Sequence, residues 1–116
     1  MIDATSRSPK IFFNGDKGIL EIEGRSTPEN ADAFYGQLLD EIIEYKKKPA
    51  KELIAKIDLD HINTASAKML YNLFKAMVGV KVKIIWTYED DDMLEAGTDY
   101  DSMMENKLSF EFMKKI

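Results

Sequence analysis

The sequence predicts an α/β fold, a mixed β-sheet of about four to five strands packed against two main helices and a short third. Three observations carry this. Leu53, Ala55, Ile57 and Leu59 alternate with Ile54, Lys56, Asp58 and Asp60, the period of a strand with one covered face. Ser66, Met69, Leu70, Leu73, Phe74 and Met77 then recur at three and four, the stripe of an amphipathic helix. Val82, Ile84, Trp86 and Tyr88 alternate again, and strand, helix, strand at these lengths predicts a right-handed crossover between parallel strands.

The remaining elements follow in order. Lys10 to Phe13 and Ile19 to Glu23 read as two strands of a hairpin joined by Asn14-Gly15-Asp16-Lys17-Gly18, with Leu20 and Ile22 on one face, Ile19, Glu21 and Glu23 on the other, and Gly24 ending the second. Arg25-Ser26-Thr27-Pro28-Glu29-Asn30 is a helix start: Ser26 and Glu29 have capping-box spacing, and Thr27 before Pro28 is the alternative cap. Ala31, Phe34, Tyr35, Leu38, Leu39, Ile42 and Tyr45 trace one face of that helix through more than three turns. Lys46, Lys47 and Lys48 suit its C-terminal dipole, and Pro49 stops it. Beyond Val78-Gly79 the second central strand is expected over Val80 to Tyr88. The acidic stretch from Glu89 to Glu105 reads as an exposed connector with a short helix near Met93–Glu105, and Leu108, Phe110 and Phe112 alternate as a last strand.

Length and composition bound the function. One domain over residues 1–116 is expected, enough chain to bury about two-thirds of its unfolded surface. No apolar run approaches membrane-spanning length, and Met1 to Ser8 lacks the apolar segment of a secretory signal, so a cytoplasmic location is expected. The net charge of −5 lies in the last quarter: residues 89–116 carry 3 Lys+Arg against 9 Asp+Glu, while residues 1–88 carry 13 against 12. Without a basic stripe, neither nucleic acid nor membrane insertion is expected.

Little in the sequence resembles catalytic chemistry. There is no cysteine, and His61 is the only histidine, so a zinc site would need carboxylates to complete it. A calcium loop starting at Asp92 puts Gly97 at the sixth place but leaves Leu94 and Ala96 at ligand positions. Asp58 and Asp60 share one strand face as a possible carboxylate pair, yet no nucleophile or glycine-rich phosphate cradle accompanies them. No catalytic residue, metal or cofactor is assigned.

The informative stretch is Asn63-Thr64-Ala65-Ser66-Ala67-Lys68, at the junction of the central strand and the second helix. A helix N-terminus carries unpaired N–H groups and partial positive charge, so a hydroxyl there is placed either to cap the helix or to be phosphorylated. Three readings stay open on the residues alone. One is a phosphorylation switch; another is a constitutive interaction module in which Thr64 merely caps; the third is a small acidic metal-binding protein or enzyme using Asp58, Asp60 or the 89–105 segment.

Taken together, Gly18-Ile-Leu-Glu-Ile-Glu-Gly24, Ser26-Thr-Pro-Glu-Asn30, Phe34-Tyr35, Leu38-Leu39, Tyr45, Asn63-Thr-Ala-Ser-Ala-Lys68, Tyr88-Glu-Asp-Asp-Asp-Met93 and Glu95-Ala-Gly-Thr-Asp-Tyr100 resemble the SiaC family of bacterial regulatory phosphoproteins. The resemblance implies a fold like the STAS domain of anti-sigma-factor antagonists. It also implies partner switching: a protein kinase of the anti-sigma-factor type phosphorylates a threonine at this turn, a PPM-type phosphatase reverses it, and the unphosphorylated form binds a diguanylate cyclase, linking the switch to cyclic di-GMP and biofilm formation. The family's threonine maps onto Thr64, with Ser66 the second candidate. The implied partner-binding surface is Asn63, Thr64, Ala65, Ser66 and Lys68. The sequence departs from the family pattern at Ala65, often a second hydroxyl residue, and at Gln37, commonly proline.

Overall fold

The computed structural model describes residues 2–48 and 52–116. Its elements run β1 (Lys10–Asn14), β2 (Ile19–Ser26), α1 (Ala31–Lys47), β3 (Leu53–Ile62), α2 (Thr64–Met77), β4 (Val82–Tyr88), α3 (Asp91–Met103) and β5 (Ser109–Lys114). The five strands form one sheet in the order β1-β2-β3-β4-β5, with β1 antiparallel to β2 and all later neighbours parallel. Each parallel step is bridged by a helix, so the expected mixed α/β architecture is the one observed.

Strand alternation sorts the sheet into two faces. Leu20, Ala55 and Ile84 are register partners across β2, β3 and β4, as are Ile22, Ile57 and Trp86 one layer on. All six are buried under the helices. The opposite face carries Glu21, Lys56, Ile85 and Glu111 in register and is open to solvent, with Lys83 and Glu111 paired at 2.7 Å. That face is wet, as its lysines and acidic residues imply.

Four boundaries differ from the sequence expectation. Gly24 does not end β2: the register shifts between Gly24 and Arg25, a bulge that Gly24 accommodates at φ +124°, and the strand continues to Ser26. Ser26 therefore faces inward, fully buried, and cannot cap α1. Neither it nor Thr27 does so; Asn30 is the N-cap, its side chain accepting from the Ala33 amide at 3.1 Å. β4 starts at Val82 rather than Val80. The acidic run is less a connector than a helix start, because Asp90 caps α3 by accepting from the Met93 amide at 2.9 Å and Asp91 and Asp92 occupy the first turn, where the dipole favours negative charge. Pro49 lies outside the described residues; α1 ends at Lys47, with Lys46 and Lys47 in its last turn as expected.

Packing of α3 sets up the functional surface. Trp86 is fully buried and donates from Nε1 to the Met93 carbonyl at 2.9 Å. Gly97 lies so close to the indole that an added Cβ would be 2.5 Å from Trp86 Cδ1. Tyr100 stacks edge-on to Phe74 of α2, centroids 5.0 Å apart, and its phenol donates to the Ala67 carbonyl at 2.7 Å. α3 is thereby pinned beside the first turns of α2.

Candidate functional site

The β3–α2 junction is held by Asn63, which uses its polar groups on three elements. Its backbone N–H donates to the Ser26 carbonyl at the end of β2, 3.0 Å, and its side-chain N–H reaches the Pro28 carbonyl at 3.4 Å. Its side-chain oxygen accepts from the Ser66 amide at 2.8 Å, which makes Asn63 the N-cap of α2. Thr64 is therefore the first helical residue and not the cap, which corrects the reading in which Thr64 is retained as a structural cap. It is exposed, and among the described residues its hydroxyl makes no hydrogen bond.

The other residues of the expected surface divide by the helical period. Ala65 and Lys68 are exposed, and Lys68 stands one turn beyond Thr64 on the same stripe. Ser66 points the other way and is fully buried. Its Oγ lies beside the Tyr35 phenol without a hydrogen bond of normal geometry. Tyr35 Oη is hydrogen-bonded to Ser26 Oγ, so a buried hydroxyl cluster from β2, α1 and α2 sits beneath the helix start. Burial pushes the Tyr35 phenol up to about 12, against the opposing influence of Ser26 and then Ser66.

Sequence reasoning placed Tyr35 on a core stripe and Ser26 in a cap, and so missed that they meet. The available signal was the inward position of Ser26, in step with Leu20 and Ile22, together with a core tyrosine whose hydroxyl needs a partner. Tyr100 was missed in the same way.

Beside this turn, α2 and α3 enclose an open groove of about 560 Å³. Ala67, Ala96 and Tyr100 line it, Tyr71 and Met103 stand on its two sides, and Lys68 and Asp99 bring opposite charges to it.

The carboxylates considered for catalysis are engaged elsewhere. Lys115, after β5, lies 3.0 Å from Asp58 and 3.8 Å from Asp60, and its backbone N–H donates to the Tyr88 carbonyl. The hydrogen bond to Asp58, with the nearby carboxylates, raises the Lys115 pKa. Asp58 and Asp60 are thus ion-paired to the lysine that follows β5. His61 is exposed, and among the described residues no three His, Cys, Asp or Glu side chains converge to hold a metal.

The comparisons with known proteins agree with this architecture. The model of the SiaC family of regulatory phosphoproteins matches residues 2–115. The chain belongs to the SiaC family. Apo-SiaC of Pseudomonas aeruginosa superposes with a TM-score of 0.84 at 23% identity, covering 99% of this chain and 96% of that one. SiaC of the same organism, solved as the activator in complex with the diguanylate cyclase SiaD, superposes with a TM-score of 0.88 at 22% identity, covering 98% of both chains. An uncharacterized protein of P. aeruginosa strain UCBPP-PA14 is 26% identical over 93 residues, 76% of this chain and 74% of that protein. The SiaC fold expected from the resemblance is thus the fold observed.

Proposed function

We propose that this SiaC-family chain is a cytoplasmic regulatory protein, not an enzyme, whose binding to a diguanylate cyclase is switched by reversible phosphorylation of Thr64. The observation that carries the reading is the division of labour at the start of α2. Asn63 performs the capping, which leaves Thr64 with an exposed hydroxyl that has no structural task. Ser66 is the poorer acceptor, because a kinase would have to unfold the first turn to reach its buried hydroxyl.

The chemistry of such a switch follows from the site. A phosphate on Thr64 adds about −1.5 to −2 charge at the positive end of a helix, where the fold tolerates it. The same dianion under a docked partner is desolvated, and a penalty of about 3 kcal/mol weakens binding on the order of a hundredfold. A protein kinase of the anti-sigma-factor type and a PPM-type phosphatase would set the phosphorylated fraction. The solved complex in which SiaC is the activator of SiaD supports a cyclase as the target, and with it an output in cyclic di-GMP and biofilm formation.

The test is binding of a SiaD-type diguanylate cyclase from the same organism to the chain with Thr64 either unmodified or installed as phosphothreonine. The reading requires binding by the unmodified form and a loss on the order of a hundredfold on phosphorylation. Equal affinities would refute the switch.

A further inference from the structure

The two edges of the sheet differ in cover. The outer edge of β1 is bridged by the N-terminal segment, where Ile2 and Ile11 exchange both backbone hydrogen bonds at 2.8 Å. β5 closes the other edge, and among the described residues nothing pairs with its outer side. The Lys115 N–H donates to the Tyr88 carbonyl at 2.8 Å, which fixes the hydrogen-bonding parity of the strand. Residues 109, 111, 113 and 115 therefore turn their N–H and C=O groups toward β4, and Phe110, Phe112 and Lys114 turn theirs outward. On the helix face of this edge Phe110 packs edge-on to Phe74 and stacks on Phe112, yet both rings stay half-buried. A bare row of backbone groups beside incompletely covered aromatic rings is a template for one more strand.

We infer that β5 pairs antiparallel with β5 of a second copy of this chain, about a twofold axis at Phe112, joining the two five-stranded sheets into one. The strand is complementary to itself in this register. Phe110 lies opposite Lys114 of the second copy, Phe112 opposite Phe112 and Lys114 opposite Phe110, so every outward N–H and C=O of the strand finds a partner. No other register pairs all three residues within the strand. On the helix face the two Phe112 rings cover each other and each Lys114 meets a Phe110 ring. On the open face Glu111 lies opposite Met113, whereas an axis at Glu111 would set two carboxylates face to face. Because the paired strands run in opposite directions, the two β3–α2 junctions lie at opposite ends of the joined sheet. Both Thr64 hydroxyls stay exposed, and the dimer presents the proposed switch twice. One strand per copy is a small interface, so the dissociation constant is on the order of micromolar.

The experiment is sedimentation velocity of the full chain across the micromolar range at about 0.15 M salt, where the net charge is screened. The inference requires a reversible monomer–dimer equilibrium. Lys114→Pro deletes an outward N–H and no bond to β4, and Met113→Glu sets a carboxylate opposite Glu111. Each should weaken association on the order of tenfold with the melting temperature unchanged, and Met113→Lys should tighten it. The chain has no cysteine, so disulfides read the register cleanly. Glu111→Cys mixed with Met113→Cys should give a covalent dimer on mild oxidation, and neither variant alone should. A monomer at every concentration would overturn the inference, as would association indifferent to Lys114→Pro. A disulfide in either single variant at the yield of the mixture would also overturn it, and so would a dimer dissolved by Thr64→Glu.

Discussion

Two helical glycines, given the same substitution, are expected to respond with opposite sign. At Gly97 an added Cβ would lie 2.5, 2.6 and 2.8 Å from Cδ1, Nε1 and Cε2 of Trp86. The indole cannot yield easily, being fully buried, packed against Phe74 and Tyr100 and hydrogen-bonded to the Met93 carbonyl. Overpacking against a fixed ring costs about 3 kcal/mol, and better helix propensity returns about 1 kcal/mol, so Gly97→Ala is expected to destabilise by about 2 kcal/mol. At roughly 4 °C per kcal/mol for a chain of this length, the melting temperature falls by about 8 °C. At Gly36 in α1 a Cβ meets nothing within 4 Å, so Gly36→Ala keeps the propensity gain and stabilises by about 0.5–1 kcal/mol. Thermal and urea unfolding followed by the fluorescence of Trp86, the single tryptophan, measure both. If Gly97→Ala matches or exceeds the wild type in stability, the close docking of α3 on Trp86 is wrong, and with it the geometry of the groove.

Three further outcomes are expected. Asn63→Ala should cost about 1–2 kcal/mol and Thr64→Ala less than about 0.5 kcal/mol in urea unfolding, because only the former removes a cap; the reverse order would return the cap to Thr64. The Tyr35 phenol is raised from 10.0 to about 12, so its contribution is complete below pH 10 and is lost as pH rises through 12. That is a loss of about 2–3 kcal/mol. Tyr35→Phe should be less stable than wild type at pH 8, where Ser26 loses its partner, and the gap should narrow by pH 11; a constant gap would refute the assignment. Lys115→Ala should cost less than about 1 kcal/mol, with the difference fading in high salt, because the pair it forms with Asp58 is solvent-accessible.

Local signals announced most elements, and they did so where one physical cause dominated. Alternation located β3 and β4 because a sheet covered on one face must sort its residues by parity, and the three-to-four spacing of Met69, Leu70, Leu73, Phe74 and Met77 located α2 for the analogous reason. Boundaries failed where a competing interaction intervened. Ser26 has an ideal capping spacing to Glu29, but the bulge at Gly24 prolongs β2 and spends its hydroxyl on Tyr35, and Asn30 takes over the cap. Asp90 to Asp92 read as mutual repulsion along a connector, whereas the α3 dipole and a capping bond offset it. At the site, the sequence placed hydroxyl residues at a helix start but could not say which of Asn63 and Thr64 capped it. That depends on the Ser26 and Pro28 carbonyls, brought in from a segment more than thirty residues earlier. The groove was illegible for the same reason: Tyr71 and Met103 are ordinary helix positions until Tyr100 and Gly97 fix α3 beside α2.

Whether Thr64 carries the phosphate is read from the intact mass of the protein from its native cells under several growth conditions, followed by fragmentation across residues 58–75. The expected result is a fraction carrying one phosphate, with the fragments placing it on Thr64. No phosphate under any condition, or a phosphate on Ser66, would contradict it.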